Sequence, residues 1–156
     1  MTPAIDAAKK AGVAHTVHAY EHDPSCAAYG MEAAEKMGVA ATRVFKTLVV
    51  QLDGKVFAVG IIPVAAQLSM KLMAKAAGAK KATMADKQDV ERITGYVLGG
   101  VSPLGQKRRL KSFIDASARP FPTVYVSAGR RGLEIELAPD DLAHLTGAAF
   151  AELAAS

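Results

Sequence analysis

The spacing of apolar positions changes several times along this chain, and each change marks an element. The clearest stretch is Val44-Phe45-Lys46-Thr47-Leu48-Val49-Val50, which continues to Leu52 and is followed by a second apolar run from Lys55 to Ile62. Runs of this length, rich in β-branched residues and bounded by turn formers, are strands, and Asp53-Gly54 between them signals a two-residue hairpin. His15 to Tyr20 alternates as a further strand, and strands are expected near Ser112–Asp115, Thr123–Val126 and Leu133–Leu137, the last two joined through Gly129-Arg130-Arg131-Gly132. Helical spacing with capping residues marks the rest. Thr2 caps a first helix with Pro3 in its first turn and Gly12 after it. Met31–Met37 is stopped by Gly38, and Met70–Ala77 ends at Gly78. Asp86 stands where a helix cap belongs, with Asp89 at the third helical position and Gly95 closing the helix, and Pro139 opens a last helix whose Asp140 and Asp141 suit its dipole. Hairpins mixed with scattered helices, without regular βαβ repeats, predict an α+β class. The expected architecture is a single domain over residues 1–156, a mixed and mostly antiparallel sheet with helices around it.

Composition narrows the class. With 51% hydrophobic residues in 156, the chain can bury a substantial core and is not disordered. No apolar run is as long as a membrane span, and no basic segment leads into an apolar stretch at the start, so a cytoplasmic protein is expected and a membrane is not expected as a partner. A single cysteine, Cys26, excludes an internal disulfide and a thiolate-rich metal site. Charge is uneven. Residues 51–111 hold eleven Lys and Arg against four Asp and Glu, whereas residues 112–156 hold three against six. A basic middle favours a phosphate-bearing partner, although a solvated basic face without any ligand has the same signature.

The candidate chemistry centres on Gly99-Gly100-Val101-Ser102-Pro103-Leu104-Gly105. Three glycines and a proline leave much backbone exposed, and such a loop can aim several N–H groups at one acceptor, as an oxyanion hole or phosphate nest does. The basic run Gln106-Lys107-Arg108-Arg109-Leu110-Lys111 follows at once. The loop matches neither the Walker pattern nor the dinucleotide fingerprint, and a plain Gly/Pro turn with a basic flank is the other reading. Lys46 interrupts an apolar strand, and because an unpaired ammonium is costly to bury, it either sits at an exposed strand start or faces a pocket that holds an anion. Thr47 points to the opposite face of that strand. Tyr20 closes the first strand just before a loop, and Tyr29 adjoins Gly30, so each is a pocket wall or a packing residue. His15, His18, His22 and Cys26 suggest a metal, but on a strand His15 and His18 face opposite ways and the spacing fits no compact zinc pattern. Cys26 follows Asp23-Pro24-Ser25, an exposed turn, and nothing in the sequence orients a base toward it. No metal and no cofactor are expected.

Taken together, these stretches resemble the YbaK/EbsC family of aminoacyl-tRNA deacylases, related to the editing domain of bacterial prolyl-tRNA synthetases. The resemblance is collinear over nearly the whole chain: Met1-Thr2-Pro3-Ala4, Tyr20-Glu21-His22-Asp23-Pro24, Phe45-Lys46-Thr47-Leu48, Gly78-Ala79-Lys80-Lys81, Met84-Ala85-Asp86, Thr94-Gly95-Tyr96, the glycine loop through Lys107, Tyr125-Val126-Ser127 and Arg130-Arg131-Gly132-Leu133. It implies trans-editing of cysteinyl-tRNA(Pro), and more loosely cysteinyl-tRNA(Cys), in which the substrate's own thiol attacks its ester and leaves as a cyclic thiolactone. It implies Lys46, Gly100 and Val101 as the catalytic groups, with Lys46 at the terminal adenosine or phosphate end. Tyr20, Tyr29, Thr47, Gly99, Ser102, Pro103 and Gly105 are the implied substrate contacts, and Lys107, Arg108 and Arg109 the RNA contacts. Aminoacyl-tRNA is the implied partner, with a prolyl-tRNA synthetase as escort, and DNA is not. Position 29 is tyrosine where the resemblance leads one to expect phenylalanine. The strand Leu133–Leu137 carries Glu134 and Glu136 on one face, and the family places an acid in this region without indicating which one corresponds. The alternatives are a deacylase for another residue, such as alanine on tRNA(Pro), and a non-catalytic binder of RNA ends or nucleotides.

Overall fold

The computed structural model describes residues 1–26 and 28–155. In chain order the elements are α1 (Pro3–Ala11), β1 (His15–Ala19), α2 (Tyr29–Met37), β2 (Phe45–Leu52), β3 (Val56–Pro63), α3 (Met70–Ala77), β4 (Ala82–Met84), α4 (Lys87–Thr94), β5 (Lys111–Asp115), β6 (Val124–Arg130), β7 (Leu133–Leu137), α5 (Pro139–Thr146) and β8 (Ala149–Ala151), with single 3₁₀ turns at Ala41–Arg43 and Ala116–Ala118. The α+β class expected from the sequence holds. The helix ends follow the expected chemistry: Thr2 Oγ1 accepts the Ile5 N–H at 3.2 Å, and α1 to α5 each close on a glycine. Asp86 differs. It precedes α4 but makes no capping bond, and Asp89 in the first turn instead accepts from Arg92 at 2.8 Å.

One expected sheet is two. β1, β7 and β6 form an antiparallel three-stranded sheet in that order, and the second sheet runs β4-β2-β3-β5-β8. In the second, β2 is antiparallel to β3 and β4, while β3–β5 and β5–β8 are parallel. A single parallel bridge, Val44 to Tyr125, ties the two sheets at one corner. The sheets separate because each needs a face to bury. Val124, Val126, Ile135 and Leu137 of the small sheet pack with Phe45, Val49, Ile61 and Ile114 of the large one, together with α1, α4 and α5. The opposite face of the large sheet, Val50, Leu52, Ala58, Ile62 and Phe113, is covered by Met73 and Ala74 of α3 and by Leu153. A fully buried Leu or Ile of this kind contributes about 1.5–3 kcal/mol through the hydrophobic effect. The small sheet's other face carries Tyr125, Ser127, Glu134 and Glu136, and it is this polar face that α2 and the first 3₁₀ turn approach through Ala33, Ala34 and Val44.

β4 and β8, each three residues long, carry no sequence signal of their own. β8 is held by parallel pairing with Phe113–Asp115 of β5, and the segment that follows it is pinned by a side chain. The buried Asp115 carboxylate accepts the N–H groups of Leu153 at 2.9 Å and Ala154 at 3.1 Å with one oxygen, and Ser117 N–H at 3.3 Å with the other. Hydrogen bonds to a charged group contribute about 1.5–3 kcal/mol net. Asp115→Ala is therefore expected to cost about 1.5–3 kcal/mol and to lower the melting temperature by about 2–4 °C per kcal/mol. Asp115→Asn, which keeps one acceptor, should cost less. Urea unfolding of the three proteins checks this, and an unchanged midpoint in Asp115→Ala would show that these bonds do not hold the C-terminal segment.

Candidate active site

β2 pairs with β3 along its whole length but with β4 only at Val50–Leu52. Ala85 adds one more bond, its N–H donating to Val49 C=O at 3.0 Å. Successive residues of an antiparallel strand turn their N–H and C=O to alternate edges, so Thr47, two residues before Val49, presents its backbone pair to the edge that β4 leaves bare. Beside that edge lies a cavity of about 510 Å³. Its walls come from α2 (Tyr29, Gly30, Met31), β2, the start of α4 (Lys87, Val90), the glycine loop (Leu98, Gly99, Val101) and the polar face of the small sheet (Ser127, Glu134), with Tyr20 and Val64 closing it. Met31, Met84 and Leu98 leave an exposed apolar rim.

Lys46 and Thr47 lie on opposite faces of β2, yet both line the cavity because it wraps around the free edge. Lys46 Nζ donates to Val64 C=O at 3.3 Å, and no carboxylate lies within ion-pair distance among the described residues. Burial lowers its pKa from the usual lysine value. Thr47 Oγ1 is buried without a hydrogen-bond partner among the described residues. Burial also raises the Tyr20 pKa, with the nearby Glu134 acting in the same direction, so the phenol stays a neutral donor.

The structure separates the two acids that the sequence left equivalent. Glu136 is occupied: His18 Nε2 lies 2.8 Å from one of its oxygens, the Thr123 hydroxyl donates to the other, and Arg43 stands 3.8 Å away. Glu134 lines the cavity, is 6% exposed, and makes no hydrogen bond or ion pair among the described residues. Burial alone pushes its pKa up to about 8. A carboxylic acid that titrates near neutrality in a cleft has the character of a proton-transfer group.

The glycine loop is divided in its use. Gly99 and Val101 line the cavity, and their N–H groups make no hydrogen bond among the described residues. Gly100 does not line it. Its N–H donates to Val97 C=O at 3.0 Å, and a Cβ there would lie 2.7 Å from Arg130 Cα, so this glycine exists for the close approach of the β6–β7 hairpin. Ser102 is fully buried away from the cavity, its Oγ accepting the Leu104 N–H at 3.1 Å. Pro103, Gly105 and Arg109 line a separate hollow of about 180 Å³ with Leu145 and Thr146. Lys107 and Arg108 donate their backbone N–H groups to Thr94 and Ile93 at the end of α4, and neither lines the cavity. Thus Lys46, Thr47, Tyr20, Tyr29, Gly99 and Val101 come together, whereas Gly100, Ser102, Pro103, Gly105 and the 107–109 run do not. Cys26 also lies outside, in a turn closed by Asp23, and the histidines have separate partners: His15 near Val13 C=O, His18 with Glu136 and His22 with Glu32 at 2.6 Å. No group of three or more potential metal ligands occurs among the described residues.

The sequence model of the aminoacyl-tRNA editing domain matches residues 23–145, which include β2, the glycine loop and Glu134. An Enterococcus faecalis protein named "Putative Cys-tRNA(Pro)/Cys-tRNA(Cys) deacylase EbsC" is 41% identical over 120 residues, 77% of this chain and 73% of that protein. Among solved structures, one described as a "putative trans-editing enzyme for prolyl tRNA synthetase" superposes with a TM-score of 0.86 at 22% identity, covering 99% of this chain and 96% of that one. The hypothetical protein APE2540 superposes at 0.87 with 25% identity, covering 98% and 99%. The chain belongs to the aminoacyl-tRNA editing domain family.

Proposed function

We propose that the protein is a trans-editing deacylase that removes cysteine from tRNA(Pro), and less selectively from tRNA(Cys), with the cysteine thiol of the substrate as nucleophile. The observation that carries this reading is the cavity's chemistry: backbone donors, two cations (Lys46 and Lys87) and one acid line it, and among the described residues no side-chain nucleophile with an oriented base is there. An ester already activated for acyl transfer needs little more than placement and stabilisation of the developing oxyanion. The thiol sulfur attacks the ester carbonyl carbon, and the new C–S bond sends an electron pair onto the carbonyl oxygen, which the Val101 and Gly99 N–H groups receive. The Glu134 carboxylate takes the thiol proton. When the carbonyl re-forms, the C–O bond to the ribose breaks, and Glu134 returns the proton to the departing ribose oxygen. The products are a tRNA with a free 3′ end and a cyclic thiolactone. Proton transfer is nearly balanced, because a carboxyl near 8 meets a thiol whose ordinary pKa is about 8.5. Lys46 holds the polarised end of the terminal nucleotide, and Thr47 offers its free hydroxyl and backbone edge to the aminoacyl group.

Alanine or proline on the tRNA lacks the attacking sulfur, which separates substrates more sharply than a missing methylene, worth about 10–200-fold. A prolyl-tRNA synthetase as escort would supply recognition of the tRNA body, and the cytoplasm, where tRNA is charged, is the working compartment. No helix among the described residues is long and apolar enough to cross a membrane. The deciding experiment follows the amino acid released from cysteinyl-, alanyl- and prolyl-tRNA(Pro). Rapid loss of cysteine with thiolactone formed is expected. Alanine released as fast, with no thiolactone from cysteine, would replace this mechanism with hydrolysis by water.

Lys46→Met should lower kcat/KM by roughly 10²-fold or more, as loss of one preorganised electrostatic group does. Its unfolding midpoint should stay or rise, because burial already disfavours the ammonium. Thr47→Val should likewise leave stability intact, since its hydroxyl has no partner to lose, while turnover falls about tenfold, or about 1.4 kcal/mol. Kinetics with urea unfolding on both variants test the pair, and a drop in stability without loss of kcat/KM would make these residues structural.

Glu134 gives a prediction in pH. Its folded pKa lies near 8 against the usual 4.5, so between those values the folded protein holds the extra proton. Stability relative to Glu134→Gln must then fall as pH rises from about 4.5 to 8 and level off above. Activity moves the other way, with kcat/KM of the wild type rising toward pH 8 as the carboxylate forms. Glu134→Gln should lose roughly 10²–10⁴-fold. Unfolding midpoints of both proteins at pH 5 and 8.5 test the titration: a constant difference would show that Glu134 ionises normally.

A further inference from the structure

Tyr29, Gly99 and Arg131 come from three separate elements and meet at the lip of the cavity. The Arg131 guanidinium lies over the Tyr29 ring, 3.8 Å from its centre. Its Nη2 donates to Leu98 C=O at 3.3 Å. A Cβ on Gly99 would stand 2.4 Å from Arg131 Nε and 2.9 Å from the Tyr29 ring, so the glycine makes room for the stack. Tyr29, Leu98 and Gly99 are cavity walls, while Arg131 itself is exposed on their outer side. No carboxylate pairs with it among the described residues. A guanidinium has five N–H donors in a fixed plane, and with one on Leu98 most of the fork remains free. Stacking on an aromatic ring fixes that plane in advance, which an ammonium on a flexible stem cannot match.

We propose that Arg131 is the phosphate anchor of the site, binding the 5′-phosphate of the terminal nucleotide while Tyr29 sets the plane of its guanidinium. The inference rests on reading the cavity as the seat of the aminoacylated 3′ end. With the ester at the bare edge of β2, the nucleotide chain leaves across a lip where Arg131 offers a guanidinium already seated on a ring, whereas Lys87, a cation of the cavity wall, is an ammonium on a flexible stem. The 107–109 run, which lies off the cavity, is not that anchor. A phosphate matches a planar fork in charge and geometry. The tyrosine hydroxyl at position 29 is not needed for the stack, so phenylalanine would serve there equally.

The test compares adenosine with adenosine 5′-monophosphate, which differ only in the group assigned to Arg131, by titration of the unlabelled protein in calorimetry or NMR. The wild type should bind the monophosphate about tenfold or more tightly than adenosine, and Arg131→Met should remove that preference while leaving adenosine affinity unchanged. Arg131→Lys should restore part of it. The preference in the wild type should also weaken as salt is raised. A wild type that does not distinguish the two ligands, or an Arg131→Met that still does, would overturn the proposal. Equal weakening of both ligands in Arg131→Met would also overturn it, making Arg131 only a brace for the glycine loop. Because the readout is binding, it stands apart from the deacylase assay: an Arg131-dependent preference in a protein that cleaves no aminoacyl-tRNA would keep the anchor and discard the reaction.

Discussion

The shortness of β4 is the constraint from which the site follows. Three residues pair with the end of β2 and then stop, so an apolar strand that is otherwise fully bonded keeps one stretch of bare edge. An exposed edge is normally a hazard, since it invites pairing with another chain. Here the edge is unpaired but walled: α2, the glycine loop and the polar face of the small sheet stand around it and leave a cleft instead. The same arrangement explains why neighbours on opposite faces of β2 line one cavity. A cavity set on a sheet's face would see Thr47 or Lys46, whereas one set on an edge sees both.

The chamber holds an acid and a base that do not neutralise each other. For both Lys46 and Glu134 burial is the perturbing cause, and neither enters an ion pair among the described residues. The unpartnered hydroxyl of Thr47 belongs to the same pattern. Each such group costs stability in the empty protein, because burial with no partner, or for Lys46 with a single carbonyl, forfeits hydration. A packed core elsewhere, continuous from α1 through both sheets to α5, sustains that cost. Lys46, Thr47 and Glu134 gather such frustration in one cavity, with His22 Nε2 a further buried atom left without a partner among the described residues, and a place where local rules are broken is where a ligand can supply what the chain does not.

Much of the fold was legible because its signals are local. The Asp53-Gly54 hairpin, the helix-closing glycines and Pro139 act within a few residues of themselves. β4 and β8 were not, since three-residue strands have no period to read and exist through pairing with Val50–Leu52 and Phe113–Asp115. The site divides in the same way. Lys46 stands out against an apolar background, but Glu134 and Glu136 have the same parity on β7, and only His18, Thr123 and Arg43, distant in sequence, occupy one and leave the other free. The glycines were ambiguous for a further reason. A glycine signals a close approach without saying what approaches: at Gly99 it is the Arg131–Tyr29 stack, at Gly100 the Arg130 backbone, at Gly105 the backbone of Pro3.

Charge was the least transferable signal. The basic excess lies in residues 51–111, yet of the cations at or beside the cavity only Lys87 comes from there; Lys46 precedes it and Arg131 follows it. Distance decides which matter. Two unit charges 4 Å apart interact by roughly 4 kcal/mol at an effective dielectric constant of 20, whereas exposed charges beyond a Debye length of about 8 Å are largely screened at physiological salt. A solvated run such as Lys107-Arg108-Arg109 can raise the rate at which a polyanion arrives, but it does not fix where one ester sits. The cations that stand at the cavity include a half-buried ammonium on a strand edge and a guanidinium 3.8 Å from a ring centre, and both positions are set by tertiary contacts that no count of charges along the chain contains.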